Sequence, residues 1–406
     1  MSKVRKKNMI RRNLILRALL DKEHLSLTDL KNITGISLPV VTTIVAGLAE
    51  EGFVLEVDIK EENRGAGRPP SVFKLNGGAG YVLGIDIGRT NTDFVVLDLA
   101  QEMILQKRRI SVNLQSNEKS VIDELYKEVQ QILEDAKVDY NKVLGIGISI
   151  PGIIQGPKGI SETYFNFGDE PLEDMIRDKF QKPVNIEHDA KAMALGELWF
   201  GSAKGKENVL CINMGWGLGL GMIINGKIFY GSDFYAGEFG HLQVVPEGNL
   251  CYCGKHGCLE TYASGKAMAR VAKEKIQKGA QTIITSKISN IEEIDAKIIF
   301  ESANQGDTFS IEILEEAASY LGFGLAQLIN IMNPEMIIFG GKIATVNEFI
   351  INSIQTSAMK YSMTHLNKNI QFEVSKLGTV AGALGVAMLE ARELFEVEHL
   401  NPTAYV

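Results

Sequence analysis

Three stretches near the start of the chain carry apolar side chains at the spacing of an α-helix. They cover residues 9–22, 26–35 and 37–52. Ser26 and Ser37 stand where residues that cap a helix belong, and a short connection around a glycine joins the second stretch to the third. This connection predicts a helix-turn-helix.

The pattern then changes to the alternation that is typical of β-strands. Residues 53–59 and 70–76 alternate in this way, and a polar, glycine-rich turn joins them. Three helices followed by a two-stranded hairpin predict a winged helix-turn-helix domain, here called the head (residues 1–76). In such domains the start of the last helix enters the major groove of DNA. The candidate DNA contacts are Ser37, Pro39, Val40, Thr42 and Thr43. A helical hairpin that contacts another protein is the alternative.

The turn between the two strands predicts a further DNA contact. Arg64 and Arg68 stand among glycine and proline in NRGAGRPPS (63–71). Glycine lets a backbone approach closely and proline keeps it extended, so such an arm can place arginine in a narrow minor groove. A solvated wing tip is the alternative, but beside a helix-turn-helix we favour the DNA contact.

After the head, the pattern is that of an α/β protein, here called the body (residues 77–406). A unit of strand, glycine turn and strand occurs twice, at 81–104 and 207–231. Further helices and strands are predicted at 121–137, 143–154, 184–201, 333–343 and 378–395. The repeated unit predicts two similar lobes with a cleft between them. No period of about 20–50 residues recurs, which excludes a solenoid.

Length and composition agree with this organisation. The chain has 406 residues, more than the roughly 250–300 that one core supports, so two or three domains are expected. Hydrophobic residues make up 45% and charged residues 23%, as in globular proteins. The longest apolar runs are shorter than the roughly 20 residues that span a bilayer, and the N-terminus does not resemble a signal peptide. We expect a cytoplasmic protein without membrane contact.

The charges are distributed unevenly along the chain. The head holds 13 of the 42 Lys and Arg residues and 9 of the 50 Asp and Glu residues, a net charge of +4. The body carries a net charge of −12. An anionic partner is therefore expected at the head alone. A solvated basic tail would explain the same charges.

Three of the four cysteines lie within eight positions, in a segment here called the cysteine loop (residues 241–260). One imidazole and three thiols of this loop could hold a metal: His241, Cys251, Cys253 and Cys258. This is the ligand set of a closed tetrahedral zinc site, in which no position remains for water, so the Zn²⁺ would be structural. Redox chemistry is the alternative, but it favours Cys-x-x-Cys and leaves the histidine unexplained. Cys211 is predicted to be an inert core thiol.

Several motifs of the body resemble, in their order, the ROK family of repressors and sugar kinases. They are GIDIG (84–88), IPG (150–152), HDAKAMALGE (188–197), GEFGH (237–241), CYCGKHGCLETYAS (251–264) and FGG (339–341). The combination of GEFGH with CxCGxxGCLE is the specific part of the resemblance, which covers nearly the whole chain. Because of its head, the chain resembles the repressors of the family, such as the xylose and N-acetylglucosamine repressors.

The resemblance implies an α/β fold with an actin-like (ribonuclease H-like), two-lobed sugar-kinase body. The first lobe would comprise residues 77–190 and 381–406. The second lobe, residues 191–380, would contain the cysteine loop and a dimerisation surface. The resemblance also implies a structural zinc on the four ligands named above.

A sugar site in the cleft is the next implication of the resemblance. By motif position, the sugar contacts are Asn166, Asp189, Glu238, His241 and Glu260. Asp189 matches the catalytic base of the kinases. Carboxylates and amides suit the hydroxyls of a sugar, which both donate and accept hydrogen bonds. A zinc on His241 would hold the loop that carries Glu260 against the pocket. Solvated surface carboxylates are the alternative for Glu238 and Glu260.

The phosphate-binding turns depart from those of the kinases. Arg89 replaces a glycine of the first turn, and Trp216 replaces a threonine of the second. An indole there would obstruct the close backbone approach that phosphates require. His188 and Lys191 replace two asparagines near Asp189. We therefore predict a sensor that is not an enzyme.

The expected function is that of a sugar-responsive, DNA-binding transcriptional repressor of carbohydrate metabolism genes. The protein would bind a pseudo-palindromic operator as a homodimer, or as a tetramer built from it. Release of DNA when the sugar effector binds is the simplest response. An ATP-dependent sugar kinase with an accessory DNA-binding head and a protein-interaction module are the alternatives.

Overall fold

The head and the body each have their own β-sheets in the computed structural model. It describes residues 3–57, 71–109, 112, 114, 118–168, 170–341 and 348–396. In this part of the chain no single helix is long and apolar enough to cross a membrane. Only the bent pair formed by the second and third helices passes that test, when the two are taken together.

The described residues of the head form three helices and a three-stranded antiparallel sheet. The helices are α1 (Lys3–Asp21), α2 (Leu27–Thr34) and α3 (Leu38–Glu50). The strands are β1 (Leu25–Ser26), β2 (Val54–Val57) and β3 (Val72–Leu75), in the order β1-β3-β2. The axes of α2 and α3 differ by 114°, within the range of helix-turn-helix motifs. The short strand β1 was not predicted from the sequence.

The helix ends of the head follow the predicted signals with one exception. Ser26 and Asp29 form a reciprocal capping box at the start of α2. Gly35 ends this helix in the left-handed conformation, with φ 70°. Ser37 precedes α3, but its side chain makes no capping hydrogen bond. Pro39 lies in the first turn of α3, where the missing amide costs nothing.

The first sheet of the body has the strand order β10-β7-β4-β5-β6. Its strands are β4 (Tyr81–Ile87), β5 (Thr92–Asp98), β6 (Met103–Arg109), β7 (Val143–Ile150) and β10 (Val184–His188). A small hairpin, β8 (Ile154–Gln155) and β9 (Ile160–Ser161), follows β7. The helices of this part are α4 (Val121–Ala136) and α5 (Leu172–Phe180). Strands β4, β5 and β6 are antiparallel, whereas β4, β7 and β10 are parallel.

The second sheet repeats this arrangement in the order β13-β12-β11-β14-β15. Helix α6 (Asp189–Phe200) precedes it in the chain. The strands are β11 (Val209–Met214), β12 (Leu218–Ile224), β13 (Lys227–Ile228), β14 (Met336–Gly341) and β15 (Gln371–Val374). The helices are α7 (Glu260–Ala263), α8 (Gly265–Gln277), α9 (Ala296–Ala303), α10 (Thr308–Met332) and α11 (Glu348–Tyr361). Strands β11 to β13 are antiparallel, whereas β11, β14 and β15 are parallel. The repeated topology agrees with two similar lobes.

Two helices that cross backbone to backbone connect the lobes. Helix α12 (Ala381–Glu393) packs on β4 and β7, and α6 packs on β11 and β12. A Cβ atom on Gly196 would lie 2.1 Å from the Ala381 carbonyl oxygen, and one on Gly385 would lie 1.9 Å from the Ala192 oxygen. Only glycine permits this approach. The predicted domain boundaries after residues 76, 190 and 380 remain a proposed division.

The head and the body share one hydrophobic core, here called the head–body joint. It contains α1 residues such as Leu16 and Leu19 together with Leu97 of β5 and Leu384 and Met388 of α12. Polar contacts reinforce this joint. Gln101 donates to the Leu20 carbonyl, Arg17 donates to the Arg392 carbonyl, and Arg392 forms an ion pair with Asp21. The head therefore packs directly on the helix that also connects the two lobes.

Candidate functional site

The cysteine loop brings its four candidate metal ligands together. One ligand atom from each of His241, Cys251, Cys253 and Cys258 lies within 4.8 Å of all the others. The Cys253 and Cys258 sulfurs are 3.6 Å apart, and the His241 Nδ1 is 3.5 Å from the Cys251 sulfur. Ligand atoms around a tetrahedral zinc lie about 3.6–3.8 Å apart, given bonds of about 2.0–2.3 Å. The residues therefore fit a zinc ion.

Backbone contacts shape the cysteine loop around this cluster. Isolated bridges pair Gln243 with Cys258 and Leu250 with His256. Gly257 has a φ of +76°, and a Cβ atom there would lie 1.6 Å from the Val245 carbonyl oxygen. A side chain at this position would push Cys258 away from the cluster, so glycine is required.

The thiols of the loop would have to lose protons to a metal. Burial, followed by the neighbouring Glu260 carboxylate, raises the pKa of the Cys251 thiol, which donates to Glu260 Oε1 at 3.0 Å. Burial also raises the pKa of Cys258. A divalent cation favours the thiolate, so metal binding would release these protons.

Asp189 is held at the start of α6 by contacts from both lobes. Its Oδ1 accepts from the Ala190 amide at 2.7 Å and lies 3.3 Å from the His188 Nε2. Its Oδ2 accepts from the Asn213 side chain of β11 at 3.1 Å. These contacts fix the position of the Asp189 side chain at the start of α6.

Two other predicted sugar contacts, Glu238 and Glu260, approach a third, His241. The imidazole Nε2 lies 3.8 Å from Glu238 Oε2, and Nδ1 lies 3.9 Å from Glu260 Oε1. The buried ammonium of Lys191 interacts with the charges of both Glu238 and Asp189. It donates to the Phe234 carbonyl at 2.6 Å, and burial lowers its pKa. Acidic groups and a cation are thus both present, and they can accept from and donate to sugar hydroxyls.

Asn166 is an exposed residue of the segment after β9. Its side chain contacts the Glu162 carbonyl at 3.5 Å. The Tyr235 hydroxyl of the second lobe donates to Glu162 Oε1 at 2.9 Å. The segment that carries Asn166 is therefore tied to the segment that precedes Glu238.

The two turns that would hold phosphates in a kinase contact each other. The guanidinium carbon of Arg89 lies 3.5 Å from the ring centroid of Trp216. Arg89 follows β4 and Trp216 precedes β12, so this cation–π contact joins the lobes. Nearby, the Ser149 hydroxyl donates to Asp86 Oδ1 at 2.6 Å. Burial and the charge of Asp189 raise the Asp86 pKa to about 7, although the residue keeps some solvent exposure.

A helix N-terminus near the second turn already has acceptors for its amides. The Gly265 and Lys266 amides at the start of α8 donate to the carbonyls of Gly215 and Trp216, at 3.0 and 3.1 Å. Such amides bind phosphate in nucleotide sites when they are free. Here they fix the turn that carries the indole.

The candidate DNA contacts of the head are mostly exposed. Ser37, Pro39, Thr42 and Thr43 are exposed, whereas Val40 is half-buried against the head core. The Thr42 and Thr43 hydroxyls donate to the carbonyls four residues earlier, at 2.9 and 3.0 Å, which leaves their oxygens able to accept. Arg64 and Arg68 lie outside the described residues.

Sequence reasoning missed two residues of the site. Asn213, which orients Asp189, lies in an apolar strand and carries no motif. Tyr252 stands between two ligand cysteines, and its hydroxyl lies 3.0 Å from His241 Nε2. The only signal in the sequence was the position of Tyr252 inside Cys-x-Cys. That position does not show that the side chain points back towards His241.

Comparison with known proteins extends over the whole chain. A putative xylose repressor from Caldicellulosiruptor sp. (strain Rt8B.4) is 29% identical over 383 residues, 94% of this chain and 95% of that protein. A glucokinase from Halalkalibacterium halodurans is 32% identical over 326 residues, 80% of this chain and 98% of the kinase. A solved ROK family transcriptional regulator, described as a homologue of the E. coli MLC protein, covers 96% of this chain and 97% of that chain, with 25% identity and a TM-score of 0.78.

These similarities confirm the predicted two-lobed, actin-like α/β fold with its N-terminal helix-turn-helix domain. They also confirm the resemblance that the motifs indicated. The sequence profile of the family matches residues 82–393, which is most of the body. The chain belongs to the ROK family.

Proposed function

We propose that this protein is a sugar-responsive, DNA-binding transcriptional repressor of carbohydrate metabolism genes. The observation that carries the proposal is the extent of the similarities. The relative named as a xylose repressor matches 94% of the chain, head included, whereas the glucokinase matches 80% and is itself covered almost completely. The chain therefore has a helix-turn-helix in addition to the full length of a sugar kinase.

The sugar would bind in the cleft between the lobes. Glu238 and Glu260 have carboxylate oxygens 3.8 and 3.9 Å from the two ring nitrogens of His241. Asp189 at the start of α6 and Asn166 of the first lobe would add further contacts to the sugar. A xylose-like pentose is the first candidate, because it is the sugar in the name of the full-length relative.

A structural zinc would hold the cysteine loop beside this pocket. His241, Cys251, Cys253 and Cys258 would be its ligands, and Zn²⁺ would supply four bonds that replace an apolar core. Glu260 begins α7 only two residues after Cys258, so the metal would position this carboxylate. His241 would contact the metal through Nδ1, which leaves Nε2 for the sugar.

The head would read DNA through the exposed start of α3. Ser37, Pro39, Val40, Thr42 and Thr43 would face the major groove, and Arg64 and Arg68 the minor groove. A homodimer, or a tetramer built from it, would place two heads on a pseudo-palindromic operator. Such a regulator would act in the cytoplasm.

The connection between sugar and DNA would run through α12. This helix crosses α6 between the lobes and packs against α1 of the head. Closure of the cleft on a sugar would rotate the lobes about the crossing of these helices and so change the positions of the two heads. The sugar can change the affinity for DNA only if it binds the conformation that binds DNA and the conformation that releases DNA with different affinities. The resulting coupling free energy is typically about 1–3 kcal/mol. We expect the sugar to release DNA.

We also propose that the body does not phosphorylate its sugar. The stacked Arg89 and Trp216 side chains lie between the two phosphate turns, and the amides at the start of α8 are paired with carbonyls. An ATP-dependent sugar kinase with a DNA-binding head is the second candidate, since Asp189 at the start of α6 matches the catalytic base of the kinases by its motif position. A coupled ATP-turnover assay over a panel of sugars should give no sugar-dependent rate. Turnover above 1 s⁻¹, the low end of typical kinase rates, would favour the second candidate.

The principal experiment measures binding to DNA from the protein's own upstream region by fluorescence anisotropy at fixed salt. D-xylose, D-glucose and N-acetyl-D-glucosamine are added in turn. We expect tight binding that one sugar weakens tenfold or more. Binding that no sugar changes would contradict the sugar response, and the absence of binding to that DNA and to operators selected from random sequences would contradict the repressor.

A matched pair of variants checks the proposed DNA surface. Thr42→Glu adds a carboxylate at the exposed start of α3 and should weaken DNA binding at least tenfold, because the charge would face phosphates. Gln281→Glu adds the same charge at an exposed position of the body and should change DNA affinity less than twofold. Both variants should bind the sugar like the original protein.

A further inference from the structure

His241 has two nitrogens and, in the proposed function, two partners. Nδ1 lies 3.5 Å from the Cys251 sulfur, inside the cluster of metal ligands. A ligand nitrogen carries no proton, so the proton of a neutral imidazole is then on Nε2. Nε2 is therefore the nitrogen that remains for a sugar hydroxyl.

The chain itself already provides a hydroxyl at this nitrogen. The Tyr252 Oη lies 3.0 Å from His241 Nε2, and the two rings meet edge to face with centroids 5.1 Å apart. Glu238 Oε2 lies 3.8 Å from the same nitrogen. The Tyr252 hydroxyl thus shares His241 Nε2 with a carboxylate of the proposed sugar site.

The rest of Tyr252 is not anchored in this way. The residue is 68% exposed, and its ring belongs to no hydrophobic cluster among the described residues. Its hydroxyl contacts His241, whereas most of the residue lies against solvent. Rotation about the side-chain torsions would expose the hydroxyl to water and break one hydrogen bond, which is a small change in free energy.

We propose that the Tyr252 hydroxyl occupies the place of a sugar hydroxyl on His241 Nε2 and must leave before the sugar can bind there. This inference rests on the proposed sugar site. One N–H makes one strong hydrogen bond, so tyrosine and sugar compete for it. Tyr252 lies between Cys251 and Cys253, and bound metal would fix the backbone on both sides. The exchange is therefore a rotation of the tyrosine side chain rather than a movement of the loop.

A side chain that competes with the sugar lowers the affinity for sugar, although it makes no contact with the sugar once the sugar is bound. Removal of the hydroxyl alone should therefore tighten binding, which is the opposite of what the loss of a sugar contact would do. Since a net hydrogen bond changes an equilibrium by roughly threefold to tenfold, we expect a gain of that size. This gain distinguishes a competitor from a residue that lines the pocket.

The test compares the original protein with Tyr252→Phe by calorimetric titration with D-xylose, D-glucose and N-acetyl-D-glucosamine, with zinc content measured on each sample. Tyr140→Phe is the matched control, because it removes a hydroxyl that donates to the Phe180 carbonyl in the first lobe. We expect Tyr252→Phe to bind the effector threefold to tenfold more tightly at unchanged zinc content. The control should bind it like the original protein.

Each other result has a separate meaning. Unchanged affinity in Tyr252→Phe would overturn the competition, and weaker affinity at full zinc content would make Tyr252 a sugar contact instead. Weaker affinity with lost zinc would assign Tyr252 only to the support of His241. If neither protein binds any sugar of the panel, the proposed sugar site itself fails, and the inference fails with it.

A second measurement follows the side chain directly. In the original protein, the NMR signal of ¹³C-labelled Tyr252, assigned through Tyr252→Phe, should move when the sugar binds.

Discussion

The cysteine loop and the head–body joint belong to one chain, but different kinds of interaction determine the structure of each. In the loop, Leu250 and Tyr252 are 67% and 68% exposed, and four nitrogen and sulfur ligands occupy the place of a core. In the joint, α1, β5 and α12 bury a continuous set of aliphatic side chains. The loop would therefore depend on the proposed metal and its few ligands, whereas the joint depends on apolar area that many residues share.

This difference decides what each region can transmit. A cluster of ligands keeps a few atoms at fixed distances, which suits the placement of a carboxylate beside a sugar. A packed core resists local distortion, so a movement of α12 would be passed to α1 as a whole. The first region suits recognition of a small molecule, and the second suits its communication to the head.

The largest expected effect is the loss of the metal from the loop. Cys253→Ser should reduce zinc from one ion to nearly none per chain in elemental analysis, because a hydroxyl is a poor replacement for a thiolate ligand. Sugar affinity should fall at least tenfold, since Glu260 loses its support. DNA affinity without sugar should change less than twofold, because the joint is intact.

Cys211→Ser is the matched control for this substitution. Cys211 is buried in β11 among apolar neighbours, and burial raises its pKa. The same replacement there should leave zinc and sugar affinity unchanged and lower only the stability, by about 1–2 kcal/mol. Full zinc content in Cys253→Ser would mean that the four side chains are not the ligand set.

The next effect concerns the core of the joint. Leu384 of α12 is 5% exposed within the joint, so Leu384→Ala should lower the free energy of unfolding by about 2–4 kcal/mol. Leu55→Ala is the control, because Leu55 is 42% exposed; it should change the free energy of unfolding by less than about 0.5 kcal/mol. Denaturant titration measures both values. A joint that tolerates Leu384→Ala without loss would not be a shared core, and zinc content should stay at one ion in each variant.

The two regions also differ in how well the sequence predicted them. The cysteine loop could be interpreted from the sequence because its ligands lie within 18 positions and their chemistry is distinctive. The joint could not, because Leu16 and Leu384 are far apart in the chain and ordinary in type. Sequence patterns indicate which side chains are apolar, but not which distant helix covers them.

The same reasoning applies to the fold and the site. The repeated strand units at 81–104 and 207–231 predicted the two sheets, since their alternation and glycine turns are local signals. Helices α8 to α10 were not predicted, although Thr308–Met332 is the longest helix among the described residues. The contact between Arg89 and Trp216 was also missed: each departure was noted, but their stacking depends on the closure of two lobes.

A smaller expected effect is a dependence of the protein's stability on pH. Burial, and after it the charge of Glu393, raises the pKa of Glu390 on α12 to about 8, against an ordinary value of 4.5. The folded protein thus holds a proton that the unfolded chain releases, so stability falls as the pH rises from about 4.5 to about 8. Glu390→Gln should reduce this fall by about 1–3 kcal/mol, as measured by denaturant titration at pH 5 and pH 8.5. An equal fall in both proteins would mean that Glu390 does not hold the proton.

The smallest expected effect tests communication through the joint. Arg392 forms an ion pair with Asp21 of the head, and its guanidinium carbon lies 5.3 Å from the ring centroid of Trp199 on α6. Arg392→Met keeps an apolar stem but removes the charge. Asp21 is 40% exposed, so the pair should be worth only about 0.5–1 kcal/mol. Sugar affinity and DNA affinity, measured separately, should change less than twofold, whereas the effect of sugar on DNA affinity should shrink by about twofold to fivefold.

A double-mutant cycle with Asp21→Asn makes this last test specific. If the ion pair carries the coupling, the two substitutions together should reduce the sugar effect no more than either one alone. Arg177→Met, which breaks an exposed pair with Glu173 on α5, should leave the sugar effect unchanged. Additive losses in the cycle would mean that Arg392 and Asp21 act separately. An unchanged sugar effect in both single variants would instead mean that the apolar contacts between α1 and α12 carry the signal alone, and the joint would then depend on its core for communication as it does for stability.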